Sequence, residues 1–308
     1  TWNGEEWSRP EKQPILTGFG DPDTHRLVNL ACQQMDLGAD NDLFVAGCGS
    51  SEGKQDVWLL ERTLGGEEEW FLTESGTWGE PTALMSTVDE LSDPLIMPGS
   101  DNLLHAFWID NGTDLAEDLL AKVYYSSWNE GVWSRQVPLL NLDSAKADQL
   151  AGVYDPDFGP FLLWRDRESN THFSSLASSE RMLLPTAWSS PTPLFEPEEL
   201  VGHALPYLGR DGLINVIYAR PLNEERGIYL KRSADFGKSW SEPTAVFDAV
   251  AVDTPMVDLP AIAQTKNGDL HAIITAYSLD PEPVANALYY ARSNDKGETW
   301  SAAELIAE

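Results

Sequence analysis

Cysteine, basic side chains and long apolar runs are scarce in this 308-residue chain, and each shortage closes off a class of protein. The only cysteines, Cys32 and Cys48, flank the turn-like stretch Asp36 to Asp42. A hairpin there would bring them near each other, so a bridge and two buried thiols both stay open. Lys and Arg number 20 against 50 Asp and Glu, a formal charge of -30. No basic stripe exists for tracking phosphates, which excludes a nucleic-acid partner. No window of about 18 apolar residues is present, so no membrane span is expected. Thr1 opens the chain without Met or a charged-then-apolar leader, so no signal peptide is visible. That start reads as a mature, trimmed or excised segment. The five histidines, at 25, 105, 172, 203 and 271, have no metal-ligand spacing. Nucleophile-elbow, phosphate-loop and zinc motifs are also missing.

What the chain does have is 42% apolar residues, 10% aromatics and 12 tryptophans. That is ample material for a core. At roughly 150 residues per domain, the length allows two domains, but a repeat indicates one repeated unit over 1-308. Trp7-Ser8-Arg9-Pro10, Trp78-Gly79-Glu80-Pro81, Trp188-Ser189-Ser190-Pro191 and Trp240-Ser241-Glu242-Pro243 share one pattern. Trp133-Ser134-Arg135 and Trp300-Ser301 are looser copies, and the six tryptophans are spaced by 71, 55, 55, 52 and 60 residues.

Each interval holds short apolar runs bounded by Gly, Asn, Asp and Pro, the signature of strands rather than helices. The second runs are Leu43 to Gly49, Leu104 to Asp110, Phe161 to Asp166, Leu213 to Arg220 and Leu270 to Tyr277. Four strands in a repeat of roughly 40 to 60 residues imply an all-β propeller. Five repeats are visible. The opening segment Thr1 to Leu16 starts inside a repeat, so either five blades close with it as a clasp or a sixth is incomplete.

Two repeats carry a full octet, Ser233-Ala234-Asp235-Phe236-Gly237-Lys238-Ser239-Trp240 and Ser293-Asn294-Asp295-Lys296-Gly297-Glu298-Thr299-Trp300. The pattern suits a hairpin. Asp accepts from turn amides, Gly takes a positive φ, and Trp fills the space beneath with its N–H seeking a partner. These octets resemble those of the Asp-box (BNR repeat) proteins, of which the sialidases are members. The resemblance implies a sialidase-like propeller with the boxes on its outer rim. It makes Ser233, Asp235, Gly237, Trp240, Ser293, Asp295, Gly297 and Trp300 structural, and it favours an extracellular or cell-surface setting.

Propeller ligands sit where the inner strands end. Aligning the second runs lines up Trp108, Trp164, Tyr218 and Thr275, followed two residues later by Asp110, Asp166, Arg220 and Tyr277. Arg220 can clamp a carboxylate, and Asp110 or Asp166 can serve as acid or base. Tyr277 can act as the tyrosine nucleophile that sialidases use. Trp108, Trp164, Arg165, Tyr218 and Glu225 are candidate ligand contacts. The resemblance asks for three arginines and a Tyr-Glu pair, yet the chain lacks the early R-I-P motif, and no Glu occurs in Gly202-His203-Ala204-Leu205-Pro206. The expectation is therefore a non-catalytic module for a glycan or protein partner, with a divergent exo-glycosidase as the alternative. No cofactor is expected; the acidic turns Asp21-Pro22-Asp23 and Asp40-Asn41-Asp42 could hold a structural Ca²⁺, but both lack the distal Glu of the full calcium loop.

Overall fold

The computed structural model describes residues 33–37, 43–51, 54–63, 77–78, 82–87, 91–99, 103–112, 120–129, 132–176, 181–197 and 199–307. The Trp7 motif, Cys32 with its pairing to Cys48, and both acidic turns fall outside them. The described residues form antiparallel sheets with no α-helix; one 3-10 turn spans Pro185–Ala187. The chain divides into two compact units, Thr1–Lys146 and Ala147–Glu308.

Among the described residues, the first unit holds two sheets. One is built from Gln33–Leu37, Leu43–Ser51 and Lys54–Thr63, with an edge split into Thr77–Trp78 and Thr82–Thr87. The other is built from Leu91–Pro98, Leu104–Asp110 and Lys122–Asn129, with its edge split into Val132–Trp133 and Val137–Asn141. Leu104, Ala106 and Trp108 of the second sheet pack with Ala46 and Leu84 of the first.

The second unit holds three four-stranded sheets. The third sheet comprises Ala147–Asp155, Gly159–Asp166, Thr171–Ser175 and Thr192–Pro193. The fourth comprises Ala204–Leu208, Ile214–Arg220, Gly227–Ser233 and Thr244–Asp248. The fifth comprises Met256–Gln264, Leu270–Ser278, Val284–Ser293 and Glu304–Ala307. The expected second runs thus coincide with the observed second strands. They are apolar because both faces are covered. Ile214, Val216 and Tyr218 pack with Phe161, Leu163 and Phe173 of the third sheet. Ile217 and Ala219, on the opposite face, pack with Ala272, Ile274 and Ala276 of the fifth. Truncating Ile217 to Ala would cost about 2–5 kcal/mol.

The Trp-Ser rhythm has a direct mechanical reading. In four sheets the serine after the tryptophan clamps the third strand twice. The backbone N–H groups of Ser134, Ser189, Ser241 and Ser301 donate to the carbonyls of Ser127, Ser175, Arg232 and Arg292, at 2.7, 2.9, 2.9 and 2.8 Å. Their hydroxyls accept from the N–H of the same residues at 3.0, 3.1, 3.1 and 3.0 Å. This fixes the edge strand's entry in each repeat.

The two octets fold as matching hairpins. Ser233 Oγ and Ser293 Oγ each accept from a glycine N–H, Gly237 and Gly297, at 2.7 Å. Asp235 takes Ser239 N–H at 2.8 Å and its hydroxyl at 2.6 Å, while Asp295 takes the same groups of Thr299 at 2.9 and 2.5 Å. Gly237 and Gly297 have φ of 92° and 86°, a conformation that costs any L side chain. Trp240 and Trp300 sit at the edges of the two cores. Contrary to expectation, no described group completes a hydrogen bond to either indole N–H.

Candidate functional site

The repeat sets a common register at the C-terminal ends of the second strands. His105 and His271 each use Nδ1 to bond a third-strand tyrosine hydroxyl, Tyr125 at 2.9 Å and Tyr290 at 2.7 Å. Ile214 and Leu270 pair with the box serines Ser233 and Ser293. An irregularity in the first strand lies opposite Trp108, Trp164 and Ile274 in the second, third and fifth sheets. These landmarks make Asp110, Asp166, Arg220 and Ala276 equivalent. The expected alignment through Thr275 and Tyr277 is one residue out, because it matched Leu270 with Leu213, whereas Leu270 pairs with Ser293 as Ile214 pairs with Ser233.

Three expected ligand-stacking rings are core residues instead. Trp108, Trp164 and Tyr218 are each 0% exposed. Trp108 donates to Met85 Sδ at 3.0 Å. Trp164 stacks on His172, and Tyr218 packs against Phe195 with ring centroids 4.5 Å apart. A ring with no open face cannot offer a sugar a stacking platform. Arg165 is also committed: its Nε and Nη2 each donate to Asp148 at 2.8 Å, bracing the first strand of its sheet against the second.

The two equivalent aspartates stabilise their own hairpins. Asp110, in the first unit, accepts from Gly112 N–H at 2.9 Å. Asp166 accepts from Asn170 N–H at 2.8 Å and bonds His172 Nε2 at 2.8 Å. Burial works to raise the Asp166 pKa, but Asn170 and His172 outweigh it and hold the carboxyl below its ordinary value.

Arg220 centres a different arrangement. Its Nη1 donates to Glu225 Oε2 at 2.7 Å and its Nη2 to Glu199 Oε2 at 2.9 Å. Its guanidinium lies 4.7 Å over the Tyr229 ring, whose hydroxyl donates to the Glu225 carbonyl. Burial works against the charge on Arg220, yet Glu199 more than compensates and its pKa is raised. Glu225 is exposed and Glu199 half-buried.

Backbone bonds join this cluster to the start of the fifth sheet. Gly202 N–H donates to the Ala219 carbonyl at 2.9 Å, Ala219 N–H donates to the His203 carbonyl at 3.0 Å, and Val257 N–H donates to the Pro221 carbonyl at 3.2 Å. Asp258 then accepts from the backbone N–H of His203 at 2.8 Å and of Leu259 at 2.9 Å. Its other oxygen lies 3.3 Å from His203 Nδ1. A Cβ on Gly202 would come 2.6 Å from Asp258 Oδ1, so the close approach requires glycine. Burial pushes Asp258 up, and the His203 and Leu259 bonds bring it below its ordinary value. Tyr277 is pushed up by burial and by the neighbouring Asp258 charge. The strand ends therefore gather Glu199, His203, Arg220, Glu225, Tyr229, Asp258 and Tyr277. No described ion pair or hydrogen bond links Asp166 to them, and Asp110 belongs to the other unit.

Glu199, His203, Tyr229 and Asp258 were missed from sequence. Glu199 sits three residues ahead of Gly202, outside the strand where an acid was sought. Asp258 had a usable signal. It occupies the same register position as Asp148, each followed by a residue with positive φ, Leu259 at 49° and Gln149 at 55°. Among the described residues, no group of three metal-ligating side chains converges, and no helix is long and apolar enough to cross a membrane.

These sheets define an all-β fold of propeller type, and comparison with solved structures agrees. The fungal lectin of Aleuria aurantia, a six-bladed β-propeller that recognises fucose, matches with a TM-score of 0.51 at 12% identity, over 90% of this chain and 78% of its own. The xylan β-1,4-xylosidase of Bacillus halodurans C-125 also gives 0.51, at 13% identity, over 88% of this chain and 54% of its own. The Trypanosoma rangeli sialidase reaches 0.44 at 14% identity, over 73% of this chain and 39% of its own. No family model and no curated protein sequence matches the chain.

Proposed function

We propose that the chain is a single Asp-box propeller of the sialidase-like type that binds glycans without turning them over, in an extracellular or cell-surface setting. One observation carries the choice of binding over catalysis. Within the strand-end cluster the Asp258 carboxyl is held below its ordinary pKa by its hydrogen bonds, while Tyr277 and Tyr229 are held above theirs by burial. A glycosidase general acid needs the opposite, a carboxyl kept protonated near neutral pH. Fixed charged acceptors and fixed neutral donors are the equipment of a binding site. Glu225, exposed beside the Arg220 guanidinium, gives a planar carboxylate able to accept from paired sugar hydroxyls. The fucose recognition of the fungal lectin supports the choice of ligand class.

The alternative, a divergent exo-glycosidase, draws on one contact. Burial first, and then the Asp258 charge, raise the Tyr277 pKa, which sets a carboxylate near a tyrosine. A fluorogenic sialoside and a panel of aryl glycosides separate the readings. The binding reading expects no turnover above background. Robust turnover that disappears in Tyr277→Phe and Asp258→Asn would install the enzyme instead.

A further inference from the structure

One cavity lies apart from the strand-end cluster. Between the edge of the third sheet and the box hairpin of the fourth is a pocket of about 790 Å³, walled by Phe158, Phe173, Trp188 and Phe236 and edged by the hydroxyls of Ser175 and Ser189. Phe158 is 49% exposed, and its ring centroid lies 5.1 Å from that of Phe236.

The repeat explains why this pocket is open. Ser175 holds the place that Arg232 holds one sheet later, since each donates its backbone N–H to the clamp serine, Ser189 or Ser241. Arg232 reaches into the next box hairpin, donating to the Lys296 carbonyl at 2.7 Å and to Glu298 at 2.6 Å. Ser175 points to the matching carbonyl, Phe236, from 3.3 Å with only a short hydroxyl. Lys238 stands where Glu298 stands. A guanidinium fills the space between the fourth and fifth sheets, and a serine leaves the corresponding space open.

We infer that this rim pocket binds a neutral sugar ring, which gives the proposed glycan binding, on which the inference rests, a site separate from Arg220. The volume suits a small ligand. The exposed Phe158 ring and the half-buried Phe236 ring offer faces to the C–H side of a pyranose, with buried Phe173 and Trp188 behind them. The Ser175 and Ser189 hydroxyls spend their protons on the Phe236 carbonyl and on Ser174, which leaves lone pairs to accept from its hydroxyls. A cation would meet Lys238 in place of the acid that balances Arg232, and the one carboxylate in the lining, Asp235, is already held by Ser233 and Ser239. An anion would meet the field of a chain with net charge -30.

The test is an amide NMR titration of the whole chain with methyl α-L-fucoside, methyl β-D-galactoside and methyl β-D-glucoside. At least one should shift the amides of Ser189, Phe236 and Gly237. Phe158→Ala, at an exposed position, should weaken that binding about fivefold to tenfold. The double variant Ser175→Arg/Lys238→Glu imports the Arg232–Glu298 pair and should abolish the rim shifts while thermal unfolding stays close to wild type. Shifts confined to the Arg220 cluster and unchanged by either variant would overturn the rim site and leave glycan binding standing. Absence of shifts at both places with all three glycosides would overturn both.

Discussion

Gly297→Ala should destabilise the protein far more than Gly268→Ala, although both glycines have positive φ. Gly297 has φ of 86° and Gly268 of 91°, so the backbone penalty is shared. It amounts to about 1–2 kcal/mol for an L residue. The surroundings differ. A Cβ at Gly297 would lie 2.8 Å from Arg232 Nη2, 2.9 Å from Leu230 Cδ2 and 3.0 Å from Leu270 Cδ1, whereas nothing lies within 4 Å at Gly268. Overpacking of this kind adds about 1–3 kcal/mol. Leu230 is 0% exposed and Leu270 1% exposed, so neither can swing into solvent. Urea unfolding followed by tryptophan fluorescence, with equal m-values, reads the gap as a difference in midpoint. The expected gap is at least about 1 kcal/mol. Equal midpoints, or a larger loss at Gly268, would mean the box hairpin is not packed against the fourth sheet as described.

Three further outcomes follow from the same contacts. Asp235 and Asp295 are each lowered to about 2, chiefly by the hydroxyls of Ser239 and Thr299. A depressed carboxylate pKa contributes stability present above about pH 4 and lost as pH falls toward 2; carboxyl NMR titration should give midpoints near 2, and midpoints near 4 would contradict the hairpin bonding. His105 is lowered by burial from 6.5 to about 4. The unfolded chain therefore takes up its proton first, and about 3 kcal/mol of stability should drain away between those two pH values; His105→Phe should flatten that part of the urea-midpoint profile. Arg220→Met removes the partner of half-buried Glu199 and exposed Glu225. A melt should report a loss of about 1–2 kcal/mol, less than for a fully buried pair.

Much of the architecture was legible because it repeats. Short apolar runs mark second strands buried on both faces, and the Trp-Ser pairs mark the edge-strand clamps. The octets mark two hairpins with the same set of bonds, both starting from a glycine N–H 2.7 Å from the box serine hydroxyl. The site was less legible because side-chain direction depends on register. The fourth run begins with Leu213, one apolar residue ahead of Ile214, the true counterpart of Leu270, and nothing in Leu213-Ile214 announces which of them starts the strand's register. Trp108 and Trp164 looked like ligand platforms because aromatics often are, but these two occupy interiors. Arg220 and Glu225 were found from sequence, whereas Glu199 and Asp258 reach the cluster from a linker and a neighbouring sheet. Only tertiary packing brings such groups together. The rim pocket was invisible for a similar reason: its signal is the contrast of Ser175 with Arg232, which requires both third strands in register.

The central claim is that this chain binds glycans through fixed hydrogen-bonding groups. A glycan array probed with the wild-type chain and with Glu225→Ala tests it most directly. Glu225 is 75% exposed in its side chain, so the variant should fold normally. Saturable wild-type binding to a defined set of glycans is expected, with the signal that depends on the strand-end cluster reduced in the variant. Wild-type silence across the whole array would contradict the account.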